Sequence, residues 1–568
     1  MRLIRKMKSG KNLYYLLIVF IILTLGAILI LNFYPSNVVR TTHQTSTPNG
    51  VISFNVYQPS GLTQPVPVVV IGHGIIVNKE MMTNFAIELA HIGYIVASID
   101  WSGHGQSTGD LVVENLSVDL EAVIAALKII QPLANMSALA LLGYSMGGFP
   151  TYSYAVSHPN VTAWVGVGSS ADGTVSNTTN PHNVLMVVGS LDEAFPLDQA
   201  KVEMLNLTGF SDVNDIEFNT LYGAIENGTA REIHVVPGMD HLITPWVRDC
   251  VETATAWIVA SFGMVMPSPS MNAFDVRAGF AWIGFFALVG LLFTLATILV
   301  DPFHLKKETS TGNTAIDPQL LQETSWTSFI GKYYLFTFLL LPTIMIFIPL
   351  LVVTPLMFTA LLTAVNGCFG VNVLFYSWRL AKRWKLSLKS IIKTSLFGGK
   401  NIWLYSIILT VVFFFGYYLS IGLNYLGMIP STPRISYLIL YSALLFFIIL
   451  FSSIFIQKFS IPYMEAKFKI KNPVVNYLVI SSINFLLVDS WFVILIMTLC
   501  IAVGNYFIAM ILILMVPIFL FLVFFGIYIE KRTGSLIPGA LLNAILLGFV
   551  ITTLSPYGPL FALFGRFL

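Results

Sequence analysis

The sequence predicts two regions of different fold class: an α/β domain whose mostly parallel sheet carries helices on both faces, and an all-α region that crosses a membrane several times. Three observations predict this. Hydrophobic residues make up 56% of the 568 residues and charged residues only 10%, as in membrane proteins. Residues 51–262 alternate strand-like and helix-like segments, a pattern typical of a parallel sheet. Beyond Gly279 the chain is almost continuously apolar.

The charges divide the chain in the same way. Residues 35–263 contain 6 Lys and Arg against 20 Asp and Glu, whereas the rest of the chain contains 24 basic and 8 acidic residues. The sequence therefore joins an acidic soluble domain to membrane segments with basic loops. We expect the lipid bilayer as a partner and no nucleic acid, and the sequence leaves the oligomeric state open.

The three cysteines are Cys250, Cys368 and Cys500, an odd number of residues that lie far apart. This spacing argues against a disulfide framework and against a metal site. No phosphate-binding or dinucleotide-binding glycine pattern follows a suitable strand. We therefore expect neither a metal nor a cofactor.

The amino-terminal segment predicts a membrane anchor. Residues 1–12 include five Lys and Arg, which predicts a cytoplasmic segment. The apolar run at 13–31 has 19 residues, and at 1.5 Å per residue it spans about 28 Å, enough for a bilayer core. No small-residue cleavage site follows, so we expect an uncleaved signal-anchor over 13–34. The α/β domain, residues 35–263, then lies outside the cytoplasm.

Six N-x-S/T sequences favour the same orientation. All six lie in the α/β domain and none lies beyond residue 260. Asparagine in this context is the acceptor for N-glycosylation on exported domains. The candidate residues are Asn115, Asn135, Asn160, Asn177, Asn206 and Asn227.

The α/β domain is predicted from buried strands rich in Val and Ile that are separated by amphipathic helices. Strands are predicted at 67–71, 94–100, 138–142, 161–167, 184–188 and 231–236. Helices are predicted at 80–91, 117–130, 147–157 and 245–262.

A glycine–serine motif follows the strand predicted at 138–142. Residues 143–147 read Gly-Tyr-Ser-Met-Gly, which is G-x-S-x-G between a strand and a helix. In this strained, tight turn the serine hydroxyl is lifted above the sheet. A Cβ at Gly143 or Gly147 would crowd the neighbouring backbones, so both positions favour glycine. Alone, the motif also fits an ordinary Gly/Ser turn, and the context has to decide.

Four further segments supply that context. They are Gly-His-Gly at 72–74, Asp-Trp-Ser-Gly-His-Gly-Gln-Ser at 100–107, Gly-Ser-Leu-Asp at 189–192 and Pro-Gly-Met-Asp-His at 237–241. With the G-x-S-x-G motif they make residues 50–262 resemble the α/β-hydrolase superfamily, especially its dienelactone-hydrolase-like, acyl-esterase-like and serine-aminopeptidase-like members. Asp100 and His104 are expected to be structural. The resemblance does not extend to the membrane region.

The resemblance implies a catalytic triad in the chain order Ser, Asp, His. Ser145 is then the nucleophile, Asp192 the acid that orients the base, and His241 the general base and acid. Asp192 could instead cap a helix. The open alternatives are Asp198 and Asp172 for the acid, and His158, His182 and His234 for the base.

The resemblance also implies an oxyanion hole of two backbone N–H groups, one from Met146 and one from Ile75. Gly72, His73 and Gly74 would shape the loop that carries Ile75. In this interpretation His73 braces the loop and does not react.

The cap over the site is expected to be minimal. In this fold a cap is usually inserted after the strand that follows the helix next to the nucleophile, here the strand predicted at 161–167. Only 16 residues separate Val167 from Val184, the start of the next predicted strand. We therefore expect an open site, with a longer insertion at 205–230 forming one wall.

Eight membrane spans are predicted within residues 264–568. They lie at 278–300, 333–353, 355–377, 403–425, 436–456, 476–501, 505–528 and 535–555. The stretch 476–528 could also hold three shorter segments. Asp489 is the one acid well inside a predicted span, and it could be functional or lie at a hairpin turn near the interface.

Basic residues give these spans an orientation. With a cytoplasmic amino terminus, the inner segments hold 21 of the 30 Lys and Arg, and the carboxyl terminus lies outside. The inner segments are 1–12, 301–332, 378–402, 457–475 and 529–534.

Three functions fit the sequence. The first is a membrane-anchored, extracytoplasmic serine hydrolase that cleaves an ester, thioester or amide through an acyl-Ser145 intermediate, with an acyl ester, lipid or peptide as substrate. The second is a non-catalytic ligand-binding ectodomain of a transporter or sensor, against which the intact Ser145, Asp192 and His241 pattern argues. The third is an acyltransferase that uses the same triad, which the sequence does not separate from a hydrolase.

Overall fold

The computed structural model describes residues 10–171, 176–268, 270–305, 316, 318–396, 399–427, 431–504, 506 and 509–558. Its first element is helix α1 (Gly10–Phe33), which contains the apolar run of the predicted anchor. The first nine residues of the predicted basic segment, and the alternative acid Asp172, lie outside the described residues.

One eight-stranded sheet follows α1, with its strands in the order β1-β2-β4-β3-β5-β6-β7-β8. Strands β1 and β2 pair antiparallel, as do β2 and β4, and the other neighbours are parallel. The mostly parallel sheet is therefore confirmed. The strands are β1 (Val38–Thr47), β2 (Gly50–Pro59), β3 (Val66–Gly72), β4 (Ile95–Ile99), β5 (Ala134–Tyr144), β6 (Val161–Val167), β7 (Val184–Gly189) and β8 (Arg231–Val236).

Helices cover both faces of the sheet. Val68 and Val70 of β3 point to one hydrophobic core, and Val69 and Ile71 point to the other. Because both faces of this strand are buried, its successive residues are all apolar. Helices α2 and α6 pack in one core, and α3, α4 and α5 in the other. Their bounds are α2 (Thr83–Ile92), α3 (Leu116–Ile130), α4 (Gly148–Ser157), α5 (Leu197–Thr208) and α6 (Arg248–Ser261).

The β1–β2 hairpin is an addition to the predicted elements. Strand β1 reads VVRTTHQTST and is half-buried or exposed along its length. It is an edge strand that pairs with a neighbour on one side only. Because it is not buried on both faces, its sequence has no continuous apolar run from which a strand could be predicted. Two helices also begin later than predicted: α2 follows a 3₁₀ turn, Lys79–Met82, and α6 follows another, Thr244–Trp246.

The carboxyl-terminal region is helical. Its helices are α7 (Asn272–Ile298), α8 (Pro318–Glu323), α9 (Trp326–Leu339), α10 (Ile348–Val353), α11 (Met357–Arg383), α12 (Leu388–Ser395), α13 (Gly399–Tyr417), α14 (Thr432–Phe455), α15 (Ile461–Phe468), α16 (Pro473–Val503), α17 (Met510–Thr533) and α18 (Ile537–Leu554). Within the described residues, eight helices including α1 are long and apolar enough to cross a bilayer, or nine if a bent pair counts as one span. The chain therefore has a membrane-spanning region.

One predicted span needs correction, and two alternatives that the sequence left open are decided. The span predicted at 333–353 is not one straight helix: α9 ends at Leu339, a 3₁₀ segment runs over Leu341–Phe347, and the axis bends by 45°. Pro342 lies at this break, where its ring and missing N–H prevent a regular helix.

The stretch 476–528 forms two helices and not three. Asp489 lies inside the continuous helix α16, so it does not occupy a hairpin turn.

The helical region contacts the carboxyl edge of the sheet. Arg434 of α14 donates hydrogen bonds of 2.6 Å to the carbonyl oxygens of Gly103 and Gly105 in the loop after β4. The Asn78 side chain, in the loop after β3, donates to the carbonyl oxygen of Gly427. Tyr557, beyond α18, donates its N–H to Gly103 at 2.8 Å. The loops that follow the parallel strands therefore face the helices.

Candidate active site

Ser145 follows β5 at this edge and has left-handed backbone geometry. Its φ is 51°, a sparsely populated value for a residue with a side chain, and such strain is typical of functional turns. The surrounding glycines permit the turn. A Cβ on Gly147 would lie 2.6 Å from the backbone of Gly72, and a Cβ on Gly143 would overlap Gly148. A Cβ on Gly74 would lie 3.0 Å from Cβ of Ser145, so the loop after β3 touches the serine.

The loops after β7 and β8 bring Asp192 and His241 to the serine. Nε2 of His241 lies 2.8 Å from Oγ of Ser145, and Nδ1 lies 2.9 Å from both carboxylate oxygens of Asp192. Both Asp192 and His241 are buried, whereas Ser145 is half-buried. Asp192 also accepts the N–H groups of Ala194 at 3.0 Å and Phe195 at 2.7 Å, which fix its orientation. This arrangement can move a proton from the hydroxyl to the imidazole.

Four further residues hold His241 and the turn at Ser145. Tyr144 occupies a variable position of the G-x-S-x-G motif, and no motif indicated the other three. The Tyr144 hydroxyl donates to the His241 carbonyl oxygen at 3.1 Å, and its ring stacks on the imidazole at 5.4 Å between centroids. The Glu193 carboxylate accepts a hydrogen bond from the backbone N–H of His241 at 3.3 Å. Burial raises the pKa of Tyr144 well above its ordinary value, so its hydroxyl remains a donor.

Gly168 and Ser169 are the other two. Gly168 has φ of 50°, and a Cβ there would lie 2.9 Å from Nδ1 of His241 and 3.0 Å from the Asp192 carboxylate. Ser169 donates its hydroxyl to the Ser145 carbonyl oxygen at 2.8 Å. These contacts join elements far apart in sequence, which explains why the local pattern gave no sign of them.

The alternative acid and base residues lie elsewhere. Asp198 is exposed in the first turn of α5. His158 is exposed and stacks on Tyr154, and His234 pairs with Glu232 and Asp249. His182 is half-buried beside Gly228.

Two neutral histidines hold the loop that carries Ile75. Nδ1 of His73 lies 2.6 Å from the Gly74 carbonyl oxygen, and Nε2 of His104 lies 2.5 Å from the Ile75 carbonyl oxygen. Burial lowers the pKa of His73 to about 4 and that of His104 to about 3, so neither is charged near neutral pH. In a trans peptide the C=O and the next N–H point in opposite directions. Fixing the Gly74 carbonyl therefore fixes the direction of the Ile75 N–H.

A buried ion pair supports the same loops. The Lys79 ammonium pairs with the Asp100 carboxylate and lies 3.3 Å from Glu80 and 2.9 Å from Oε1 of Gln106. Asp100 also accepts the N–H groups of Lys79 at 2.8 Å and Gln106 at 2.9 Å. Burial alone would raise the pKa of Asp100, but the charge of Lys79 brings it below its ordinary value. The ion pair therefore joins the loop after β3 to the loop after β4.

The connection between β6 and β7 contains no helix among its described residues, 168–171 and 176–183. The insertion at 205–230 forms the end of α5, a 3₁₀ turn at Val213–Asp215 and a bridge between Tyr222 and Arg231. Across the ranges that the structure describes, no three His, Cys, Asp or Glu side chains converge as metal ligands.

Five of the six candidate glycosylation sites are exposed, and Asn115 is half-buried at the start of α3. The exposed asparagines are Asn135, Asn160, Asn177, Asn206 and Asn227.

Comparison with known proteins gives a family match for the sheet domain. Residues 63–204, about a quarter of the chain, match the family described as serine aminopeptidase, S33. No curated protein matches the chain.

Three solved structures are similar to this chain at low identity. An alpha-beta serine hydrolase homologue from Coxiella burnetii is 18% identical, covering 39% of this chain and 96% of that chain, with a TM-score of 0.29. An alpha/beta hydrolase from Penicillium sp. sh18 is 15% identical, covering 40% and 100%, with a TM-score of 0.30. An a/b serine hydrolase without lid from Xanthomonas campestris is 14% identical, covering 39% and 93%, with a TM-score of 0.30.

Proposed function

We propose that this protein, whose sheet domain is an α/β serine hydrolase-like domain joined to a membrane-spanning region, is a membrane-anchored serine hydrolase with a Ser145–His241–Asp192 triad. One observation carries the proposal: the His241 imidazole bridges the Ser145 hydroxyl at 2.8 Å and the Asp192 carboxylate at 2.9 Å. The substrate is an ester, thioester or amide.

The reaction follows from the positions of the three side chains. Oγ of Ser145 attacks the substrate carbonyl carbon while its proton passes to Nε2 of His241. The N–H groups of Met146 and Ile75 stabilise the negative oxygen of the tetrahedral intermediate, and His73 holds the Ile75 peptide in place. Nε2 then protonates the leaving alcohol, thiol or amine, which departs and leaves acyl-Ser145.

Water completes the cycle by the same route. It attacks the acyl carbon, gives its proton to Nε2, and the second tetrahedral intermediate releases the acid while Ser145 recovers its proton. Asp192 accepts the hydrogen bond from Nδ1 of His241 and stabilises the imidazolium that forms in each half of the reaction.

The proposed hydrolase acts outside the cytoplasm. The distribution of basic residues supports this side, since 21 of 30 Lys and Arg lie in segments predicted to be cytoplasmic. The contacts of the sheet domain agree with it, because Gly427, Arg434 and Tyr557 all lie at the helix ends predicted to be outside.

Sidedness is tested by labelling introduced cysteines in intact cells with a membrane-impermeant maleimide. The native cysteines are buried and give a low background. We expect Asn227→Cys on the sheet domain to label and Lys389→Cys in the basic loop at 378–402 to label only after permeabilisation; the reverse pattern would place the domain in the cytoplasm.

The hydrolase itself is tested by reaction of the full chain with a fluorophosphonate probe in detergent. We expect labelling of the wild type, loss of labelling in Ser145→Ala, and normal labelling in Ser153→Ala, an exposed serine on the neighbouring helix α4. A folded wild type that does not label would favour the ligand-binding alternative. Labelling with acyl transfer to an added alcohol in preference to water would favour the acyltransferase.

A further inference from the structure

The helical region contacts the loop after β3, residues 73–78, which carries the proposed oxyanion donor Ile75. The Asn78 side-chain amide donates to the carbonyl oxygen of Gly427, in the segment between α13 and α14. Ile76 lines a small, mostly apolar space together with side chains of α11, α17 and α18. The helices therefore back this loop at its middle and at its end.

Both peptide groups that flank Ile75 have their carbonyl oxygens held by a histidine. Nδ1 of His73 lies 2.6 Å from the Gly74 carbonyl oxygen, and Nε2 of His104 lies 2.5 Å from that of Ile75. Because each peptide group is planar, fixing these two carbonyls fixes both backbone dihedrals of Ile75. A shift of the His104 ring would therefore move the backbone at Ile75.

His104 itself lies between two glycines in the loop after β4. Gly103 and Gly105 have φ of 78° and 46°. Glycine adopts such values without strain, but it also has access to more backbone conformations than any other residue. Contacts from outside this tripeptide are therefore needed to hold the His104 ring in place.

Arg434 of α14 supplies contacts on both sides of His104. Its Nη1 donates to the Gly105 carbonyl oxygen and its Nη2 to that of Gly103, each at 2.6 Å. The guanidinium is planar and rigid, so it fixes the two acceptors relative to each other, which a point-like ammonium does not do. Arg434 is fully buried, so water does not compete for these donors.

The segment after α18 supports the same loop. The Tyr557 N–H donates to the Gly103 carbonyl oxygen at 2.8 Å, and the Tyr557 ring centre lies 4.8 Å from the Arg434 guanidinium carbon. The base of the loop is closed within the sheet domain, where the Asp100 carboxylate accepts the N–H of Gln106. The tip of the loop, in contrast, is held by the helical region.

We propose that the helical region positions the oxyanion donor of the hydrolase, and that Arg434 is the positioning residue through which it acts. Arg434 holds the two glycines around His104, and His104 holds the carbonyl oxygen of Ile75. The Ile75 N–H is thereby kept on the negative oxygen of the tetrahedral intermediate. The proposal rests on the proposed hydrolase function. It makes the membrane-spanning region a working part of the catalytic site and not an anchor alone.

The test compares Arg434→Met with the wild type, using the full chain in detergent, p-nitrophenyl acetate as substrate, and saturating fluorophosphonate labelling to count sites. A lost oxyanion donor costs about 100- to 1,000-fold in kcat, so a misplaced donor should lower kcat/KM per labelled site by about tenfold or more. The Ki of a trifluoromethyl ketone, which forms an oxyanion adduct on serine, should rise by the same factor. The Ki of an ether analogue without a carbonyl group should change by less than about twofold.

The matched control is Arg277→Met. Arg277 is also a buried arginine of the helical region, and it donates to the carbonyl oxygens of Leu31 and Tyr34, which belong to neither loop. Its loss should reduce the number of labelled sites through instability, whereas kcat/KM per labelled site should stay within about twofold of the wild type. An equal loss per site in Arg277→Met and Arg434→Met would show a general effect of buried arginines and overturn the proposal.

The route through His104 is tested by a double variant. His104→Phe removes the donor to the Ile75 carbonyl oxygen and should lower kcat/KM per site by about tenfold or more. His104→Gln keeps a side-chain N–H donor and should recover most of this loss. Because Arg434 acts through His104, adding Arg434→Met to His104→Phe should lower kcat/KM no further. Effects that multiply would overturn the proposed route from Arg434 to Ile75.

The outcomes separate the two proposals. A folded wild type that neither labels nor hydrolyses any ester would overturn both. A wild type that labels and hydrolyses, with Arg434→Met equal to it per labelled site, would overturn the positioning role alone. If Arg434→Met does not fold, Arg434→Lys decides, because an ammonium does not span both carbonyl oxygens. A loss of about threefold or more per site then supports the role, and an unchanged value overturns it.

Discussion

The sheet domain and the helical region treat buried polar groups differently. In the sheet domain, buried ionisable side chains meet each other, as Lys79 meets Asp100 and His241 meets Asp192. In the helical region, many buried Ser and Thr hydroxyls donate to the carbonyl oxygen four residues earlier in their own helix, as Ser377 does to Val373 at 2.8 Å. The sheet domain therefore uses buried ionisable groups to hold loops and to build the candidate site. In the helical region, buried polar groups complete their own helices or join neighbouring ones, as the Tyr333 hydroxyl does by donating to the Leu487 carbonyl oxygen.

Two arginines mark the border between these regions. Arg434 is fully buried and donates to the sheet domain, although it belongs to α14. Arg277, in α7, donates to the carbonyl oxygens of Leu31 at 2.6 Å and Tyr34 at 3.0 Å at the end of α1. The two arginine side chains therefore lie where the sheet domain and the helical region meet. Substitutions of single buried ionisable groups test how the two regions differ.

The largest effect is expected at Asp192, the charge that we propose for catalysis. Asp192→Asn should lower kcat for ester hydrolysis about 10,000-fold, because a neutral amide neither selects the productive imidazole tautomer nor stabilises the imidazolium. Steady-state assays with p-nitrophenyl esters measure the loss. Asp198→Asn, an exposed carboxylate six residues further along, should keep wild-type kcat. Equal rates for Asp192→Asn and wild type would remove Asp192 from the mechanism.

The candidate site could be predicted as far as its residues belong to short motifs. Ser145, Asp192 and His241 each follow the carboxyl end of a strand, and parallel strands bring those ends to one edge. The contacts of Tyr144, Gly168 and Ser169 depend on the packing of separate loops, so they required the structure.

The second prediction concerns the charge that serves structure. Lys79→Met leaves the Asp100 carboxylate buried without its cation, and we expect the free energy of unfolding to fall by about 3–5 kcal/mol. Thermal denaturation in detergent measures it. The double variant Lys79→Met, Asp100→Asn should recover part of the loss, because it removes the unpaired charge.

The control for this loss is an exposed ion pair. On the protein surface, Arg248 lies 3.0 Å from Glu252 and 3.1 Å from Asp275, and Arg248→Met, which removes both contacts, should change the free energy of unfolding by less than about 1 kcal/mol. If Lys79→Met has an equally small effect, the pair in the sheet domain is not what holds the two loops.

The fold shows the same limit on prediction as the site. Buried strands such as β6 (Val161–Val167) were predicted at their observed bounds, because both faces demand apolar residues. The edge strand β1 and the bend at Pro342 escaped prediction, since one is polar and the other lies in an apolar run that reads as a single span. Contacts across the chain, such as that between Arg434 and Gly103, follow only from the fold.

The third prediction tests the border itself. Arg434→Met leaves the buried carbonyl oxygen of Gly105 without this donor and that of Gly103 with the Tyr557 N–H, and we expect a loss of about 3 kcal/mol in the free energy of unfolding. Hydrogen exchange should rise in the loop at 100–111, with little change in α3. Lys389→Met, an exposed residue of α12, should change neither measurement. Unchanged exchange in the loop would show that Arg434 does not hold it.

The smallest effect is expected at Glu88 of α2, which accepts the N–H of Phe274 at the start of α7. Burial raises the pKa of Glu88 from 4.5 to about 7. Between these values the folded chain holds a proton that the unfolded chain has released, so the free energy of unfolding falls as pH rises from about 4.5 to 7. Glu88→Gln keeps the acceptor oxygen and cannot titrate.

Glu88→Gln should therefore match the wild type near pH 4.5 and become more stable than it above pH 7, by at most about 3 kcal/mol. Thermal denaturation at a series of pH values, with the exposed Glu226→Gln as control, measures the difference. A variant whose stability follows the wild type at every pH would mean that Glu88 is already ionised in the folded chain. The junction between α2 and α7 would then hold a stable charge, as the pair of Lys79 and Asp100 does, and not a carboxyl group that burial keeps protonated.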